Sequence, residues 1–127
     1  MKKAILLLQI AVFVFVPLFA TAGTICASEN GGQWYCDLEL WWEGPRNLAD
    51  PLTISFNVRD TPINPANCSV SGFYTITAAN GSDRNAILAL LQSAKYSGDK
   101  ISILVSTTSC SVLNTPKVIG IITGPSS

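Results

Sequence analysis

The hydrophobic pattern of this chain changes period once, from strand-like to helical and back, and that change limits its architecture more than any other feature. Residues 33–43 alternate, with Trp34, Cys36, Leu38, Leu40 and Trp42 on one side and Tyr35, Asp37, Glu39, Trp41 and Glu43 on the other. A two-residue period marks a half-buried strand. Leu52, Ile54, Phe56 and Val58 alternate with Thr53, Ser55, Asn57 and Arg59 to predict a second strand. Val70–Ala78, rich in aromatic and β-branched residues, predicts a third. Gly44-Pro45-Arg46-Asn47 breaks the first strand from the second, and a proline-punctuated loop runs from Asp60 to Asn67. From Arg84 to Tyr96 the period lengthens, and Ile87, Leu88, Leu91 and Ala94 form one stripe at helical spacing. Asn80-Gly81 turns into this helix, with Ser82 or Asp83 as its cap, and Gly98 stops it. Strand patterning returns at Ile101–Val105 and Val118–Thr123, on either side of a Ser/Thr/Asn/Pro-rich stretch, 106–116.

The resulting order, β-β-β-α-β-β, predicts a mainly β domain with one helix. It is the order of an OB-like five-stranded Greek-key barrel, in which a helix between strands 3 and 4 plugs an open end. An open sheet with one helix on its face is the competing architecture. At 127 residues the chain holds one domain.

The N-terminus has its own logic. Met1-Lys2-Lys3 is a short basic head, and Ala4 to Ala20 is apolar except for Gln9 and Pro17. Ala20-Thr21-Ala22 follows, a small-x-small site. This layout predicts a signal peptide over residues 1–22, cleaved after Ala22, and a domain over 23–127 that is periplasmic or secreted. Pro17 and the cleavage site argue against a spanning helix, so no stable membrane insertion is expected after cleavage. Thr24-Ile25 before Cys26 does not fit lipid attachment.

Removing the leader takes away Lys2 and Lys3, which leaves six basic residues against 8 acidic ones and a net charge of −2. With that balance there is no basic footprint to hold nucleic acid. The chain has no histidine, which removes Ser-His-Asp and Cys-His nucleophile systems. Asp37, Glu39 and Glu43 share a strand face, but no other residues assemble a cleft around them, and no Asp-rich loop suggests calcium. The expectation is therefore no enzyme, no catalytic residues, no cofactor and no metal. Cys26, Cys36, Cys68 and Cys110 all survive processing and read as two disulfides. Cys26 and Cys36 flank the Gly31-Gly32 turn, whereas Cys68 enters the third strand and Cys110 leaves the fourth, which favours Cys26–Cys36 with Cys68–Cys110.

The stretch from Cys68-Ser69-Val70 to Ile121-Ile122 carries a resemblance. Its marks are the helix Ala86-Ile87-Leu88-Ala89-Leu90-Leu91, the run Ala94-Lys95-Tyr96-Ser97-Gly98-Asp99-Lys100, the strand Ile101–Val105, Cys110, and Val118-Ile119-Gly120-Ile121. In these it resembles small exported bacterial OB-fold proteins, including the binding subunits of subtilase-cytotoxin and pertussis-like toxins. The resemblance covers about half the mature chain. It implies an OB barrel and non-enzymatic glycan recognition. It also implies the other disulfide pairing, Cys36–Cys68 with Cys26–Cys110.

The aromatic residues point to a site. Trp34 and Trp42 fall with Leu38 and Leu40 and are expected in the core, whereas Trp41 falls on the opposite face with Tyr35, Asp37 and Glu39. A tryptophan ring among carboxylates and amides suits a sugar, stacking on its C–H face while polar groups bond its hydroxyls. The first three strands are expected to expose a polar sheet, Thr53, Ser55, Asn57 and Arg59 beside Ser71, Phe73, Thr75 and Thr77. The expected ligand-binding set is Trp41, Glu39, Asn57, Arg59 and Phe73, for a glycan or a protein partner, with a homo-oligomer giving avidity. The other reading is a structural or inhibitory exported protein whose aromatic patch docks on another protein.

Overall fold

In the computed structural model, residues 23–44 and 50–123 are described, with the side chains of residues 42–44 left aside. The expected leader, residues 1–22, and the Trp42 side chain expected in the core lie outside the described residues. Among the described residues there are seven strands and one helix: β1 (Thr24–Glu29), β2 (Gly32–Leu38), β3 (Leu40–Gly44), β4 (Thr53–Val58), β5 (Tyr74–Thr77), α1 (Gly81–Ser97), β6 (Ile101–Cys110) and β7 (Pro116–Thr123). They form one mixed sheet in the order β1-β2-β6-β7-β5-β4-β3. Only the β5–β7 pair is parallel. The described residues are mainly β, with one helix and two disulfides.

The five-strand expectation is corrected at two places. The row of residues 33–43 is two strands rather than one, because Asp37 takes a left-handed φ of 59°. The register of β2 on β6 shifts between Tyr35 and Leu38, as an inserted residue makes a bulge. A bulge reverses the parity of the side chains, so Tyr35 points inward before it while Leu38 and Leu40 do so after it. Trp34, expected in the core, is thereby turned outward; it is half-buried and its indole N–H donates to Glu29 Oε1 at 2.8 Å. Glu39 alone separates β2 from β3, yet Leu38 pairs with Ile101 of β6 and Leu40 with Val58 of β4.

The second correction is β1. It is exposed along its whole length, so no burial period announces it. It pairs with β2 across Asn30-Gly31, where Gly31 has a φ of 82° that favours glycine. That Asn-Gly pair is a hairpin signal. The expected third strand, Val70–Ala78, shrinks to Tyr74–Thr77. Upstream of it the chain follows side-chain bonds instead. Asn64 holds Cys68 at both its N–H and its carbonyl, each at 2.8 Å.

Inward rows from the strands build the core: Leu38, Leu40, Ile54, Phe56, Val58, Tyr74, Ile76, Ile101, Ile103, Val105 and Val118. Phe56 and Tyr74 stack with ring centroids 5.6 Å apart. The helix adds Ile87, Leu91 and Ala94 from one stripe and packs most closely on β3. Its cap is Asn80 rather than Ser82 or Asp83. Asn80 Oδ1 accepts from the Asp83 N–H and Asp83 Oδ2 accepts from the Ala79 N–H, each at 2.9 Å, a reciprocal arrangement like a capping box. Gly98 ends it with a φ of 75°.

The disulfides are Cys26–Cys36, between β1 and β2, and Cys68–Cys110, with Cα atoms 6.0 and 5.7 Å apart. Both fall in the range a bridge spans. The pairing drawn from spacing holds, and the one implied by the toxin-subunit resemblance does not.

Candidate functional site

Four of the five expected site residues meet where β3 and β4 begin to pair. Trp41 is 57% exposed. The register of β3 on β4 shifts between Leu40 and Trp42, so Trp41 occupies an irregular position that no ladder partner covers. Trp42 pairs with Asn57, and Leu40 with Val58. Glu39 and Arg59 then follow one step past that last pair, where the Arg59 N–H donates to the Glu39 carbonyl at 2.9 Å.

Glu39 is the hub of this corner. Its Oε1 accepts from Arg59 Nε at 2.9 Å, and its Oε2 stands 3.9 Å from Lys100 Nζ. All three side chains are well exposed, so the ion pairs add little to stability, about 0–1 kcal/mol. Their use is to order two long cations around one carboxylate. Arg59 reaches Glu39 through Nε, one of the five N–H donors of its guanidinium. Lys100 was not in the expected set. It follows α1 directly, and the turn at Gly98 returns the chain so that Lys100 reaches Glu39. No spacing in the sequence couples two residues so far apart.

Asn57 is half-buried, and its Oδ1 accepts from the Val58 N–H at 2.9 Å. That leaves its amide N–H₂ as the group it can offer. Phe73 is not on a strand. It lies in the bend before β5, half-buried. Because Phe56 pairs with Tyr74, Phe73 stands at the register position of Asn57, one step beyond the ladder. It therefore borders the cluster.

The expected open polar sheet is corrected. Thr53, Ser55 and Thr75 are buried, at 1%, 0% and 0% exposure. Hydroxyl bonds replace water for two of them. Thr53 Oγ1 donates to Asp50 Oδ2 at 2.6 Å, and Thr75 Oγ1 accepts from Thr115 Oγ1 at 2.7 Å. Thr115 in turn shares a 2.7 Å contact with Ser111 Oγ. Of the expected face, Arg59, Ser71 and Thr77 stay exposed, and Asn57 and Phe73 are half-buried. The expected acid row also comes apart, since Asp37 occupies the bulge and Glu39 is engaged by two cations; the Glu43 side chain lies outside the described residues.

A separate groove of about 480 Å³ runs between α1 and β7, with walls that include Ile76, Ala86, Ile87, Leu90, Val118 and Ile121. It shares no residue with the Trp41 corner. Comparison with protein-family models, with curated proteins and with solved structures finds no match for this chain.

Proposed function

We propose that this chain is an exported, non-enzymatic binding module that recognises a glycan through Trp41, Glu39, Asn57 and Arg59, with Phe73 at the margin. One observation carries the reading: an exposed indole stands two residues along the chain from a carboxylate already engaged by two cations. A ring supplies the stacking surface, and the Arg59 and Asn57 N–H groups with the Glu39 oxygens supply bonds to hydroxyls. The two disulfides fit an oxidising compartment, and among the described residues no helix is long and apolar enough to cross a membrane. Signal-peptide removal after Ala22 is part of this proposal.

The scaffold proposed is a five-stranded barrel of the OB type. Support comes from counting β2 and β3 as one bent strand. Its first half pairs with β6 and its second with β4, so the strand order closes on itself, with β1 as an added edge. The parallel β5–β7 pair and the helix between β5 and β6 fit the same topology.

One ring and a few hydrogen bonds correspond to millimolar to micromolar affinity, about 4–8 kcal/mol per site. Useful avidity then calls for several copies, so a homo-oligomer belongs to the proposal. A glycan array probed with the mature protein tests it. Trp41→Ala is expected to abolish retention while leaving the melting temperature and the mass in solution unchanged. Loss of folding or assembly instead would overturn the glycan site and make Trp41 a packing residue.

A second reading, an exported protein that docks on another protein, is favoured by a different surface. Leu104 lies over Gly32 with Ile119 beside it, and the tip of Trp34 lies over Gly120. Ile119 and Ile122 are about half exposed on the same strand. Contiguous apolar surface of this kind marks protein contacts. Binding that survives Trp41→Ala and is lost on Ile119→Asp would favour it.

A further inference from the structure

The first described residue is held more tightly than a strand leader needs to be. The Gly23 nitrogen donates to Asp60 Oδ1 at 3.0 Å, in a part-buried contact across 37 residues of chain. A side chain at this position has no room. A Cβ on Gly23 would overlap Leu38 Cδ2 and stand 3.0 Å from Tyr35 Cζ. Leu38 is fully buried and Tyr35 nearly so, so neither can swing clear. A side chain here would have to displace one of them. Gly23 is also the residue that cleavage after Ala22 turns into an N-terminus.

We propose that leader removal creates the charge that Asp60 receives. Hydrolysis of the Ala22–Gly23 peptide bond consumes one water, leaves a carboxylate on Ala22 and frees the Gly23 amine, which is protonated at neutral pH. A neutral N–H···O⁻ bond thereby becomes an ammonium–carboxylate pair at the same place. Charge-assisted bonds of this type are about twice as strong as neutral ones, and partial burial limits their screening.

The pair matters because of what surrounds Asp60. Arg59, one residue before, donates its backbone N–H to Glu39 and its Nε to the Glu39 carboxylate. Thr61, one residue after, accepts the Tyr35 hydroxyl at 3.0 Å. Three consecutive residues are thus held from three directions, and Gly23 holds the middle one. Processing locks the segment that presents Arg59, so the matured N-terminus is a structural part of the corner proposed to bind ligand. This inference rests on cleavage after Ala22, which is tested separately.

The intact mass of the exported protein reads the cleavage point. A chain beginning elsewhere than Gly23 overturns the processing step without touching the glycan site. The pairing is read on four purified chains: Gly23–Ser127, the same chain with Ala22 retained, and both with Asp60→Asn. Ala22 keeps the Gly23 N–H but moves the positive charge away. Retaining it is expected to lower Tm by about 4–8 °C, and Asp60→Asn is expected to remove that difference. An equal loss in both backgrounds, or no loss, overturns the pair. A measurement without variants is the α-amine pKa by NMR. The groups facing it are the Asp60 carboxylate and the Tyr35 phenol, with the Arg59 guanidinium next along the chain and turned toward Glu39. Asp60 is expected to raise the amine above its ordinary 7.7–8.0, and an unshifted amine overturns the proposal.

Discussion

Tyr35 and Tyr74 show how one hydroxyl can anchor an irregular loop. Tyr35 donates to the Thr61 carbonyl at 3.0 Å, and the Tyr74 oxygen accepts from the Ile63 N–H at 2.7 Å. Both hold the stretch after β4, which has no strand to pair with. Burial pushes both phenols above their ordinary pKa; the Asp60 carboxylate adds to the rise at Tyr35, and the Ile63 bond opposes part of it at Tyr74. In the unfolded chain these phenols ionise near pH 10, while in the folded chain they stay protonated. The folded state then binds more protons, so stability is flat up to the unfolded value and falls as pH rises beyond it. Urea unfolding between about pH 8 and 11 is expected to show that fall, with a smaller slope in Tyr74→Phe. At neutral pH the same substitution leaves the Ile63 N–H without its partner, which is expected to cost about 1–3 kcal/mol.

At the scale of elements, α1 is the part whose fit the sequence describes best. Its stripe and its left-handed stop at Gly98 follow from residue types, whereas its start moves from Arg84 back to Gly81 and its cap from Ser82 or Asp83 to Asn80. Asparagine wins because its side chain reaches the Asp83 N–H while its own backbone stays extended. Leu91 is fully buried and Gln92 exposed. Leu91→Ala is therefore expected to lose about 2–5 kcal/mol, and Gln92→Ala to stay within about 0.5 kcal/mol of the parent. Equal urea midpoints for the two variants would show that the helix does not seal the core. The strands were less legible. Inside β2 one left-handed residue, Asp37, reversed which side chains face inward, and alternation alone cannot announce a bulge.

For the whole molecule, the two disulfides divide the work unequally. Cys68–Cys110 closes a separation of 42 residues and Cys26–Cys36 one of 10. In the chain-entropy account these restrict the unfolded state by about 4 and about 3 kcal/mol. Replacing the first pair with alanines is expected to lower the urea midpoint more than replacing the second. The first ties the loop before β5 to the end of β6, whereas the second fastens β1 to β2. An equal loss from both would mean that β1 is as necessary to the fold as the core strands.

From the sequence alone followed the β-rich class, the helix and the disulfide pairing, since all rest on period, spacing or position along the chain. Tertiary structure alone decided the rest. Lys100 joins Glu39 only because the chain returns after α1. Thr53 and Thr75 are buried although their pattern reads as solvent-facing, because their hydroxyls exchange water for bonds to Asp50 and Thr115. Gly23 meets Asp60 because β1 runs back along β2 to the end of β4. Local sequence sets which conformations a segment prefers; which distant charge or hydroxyl it meets depends on the path of the whole chain.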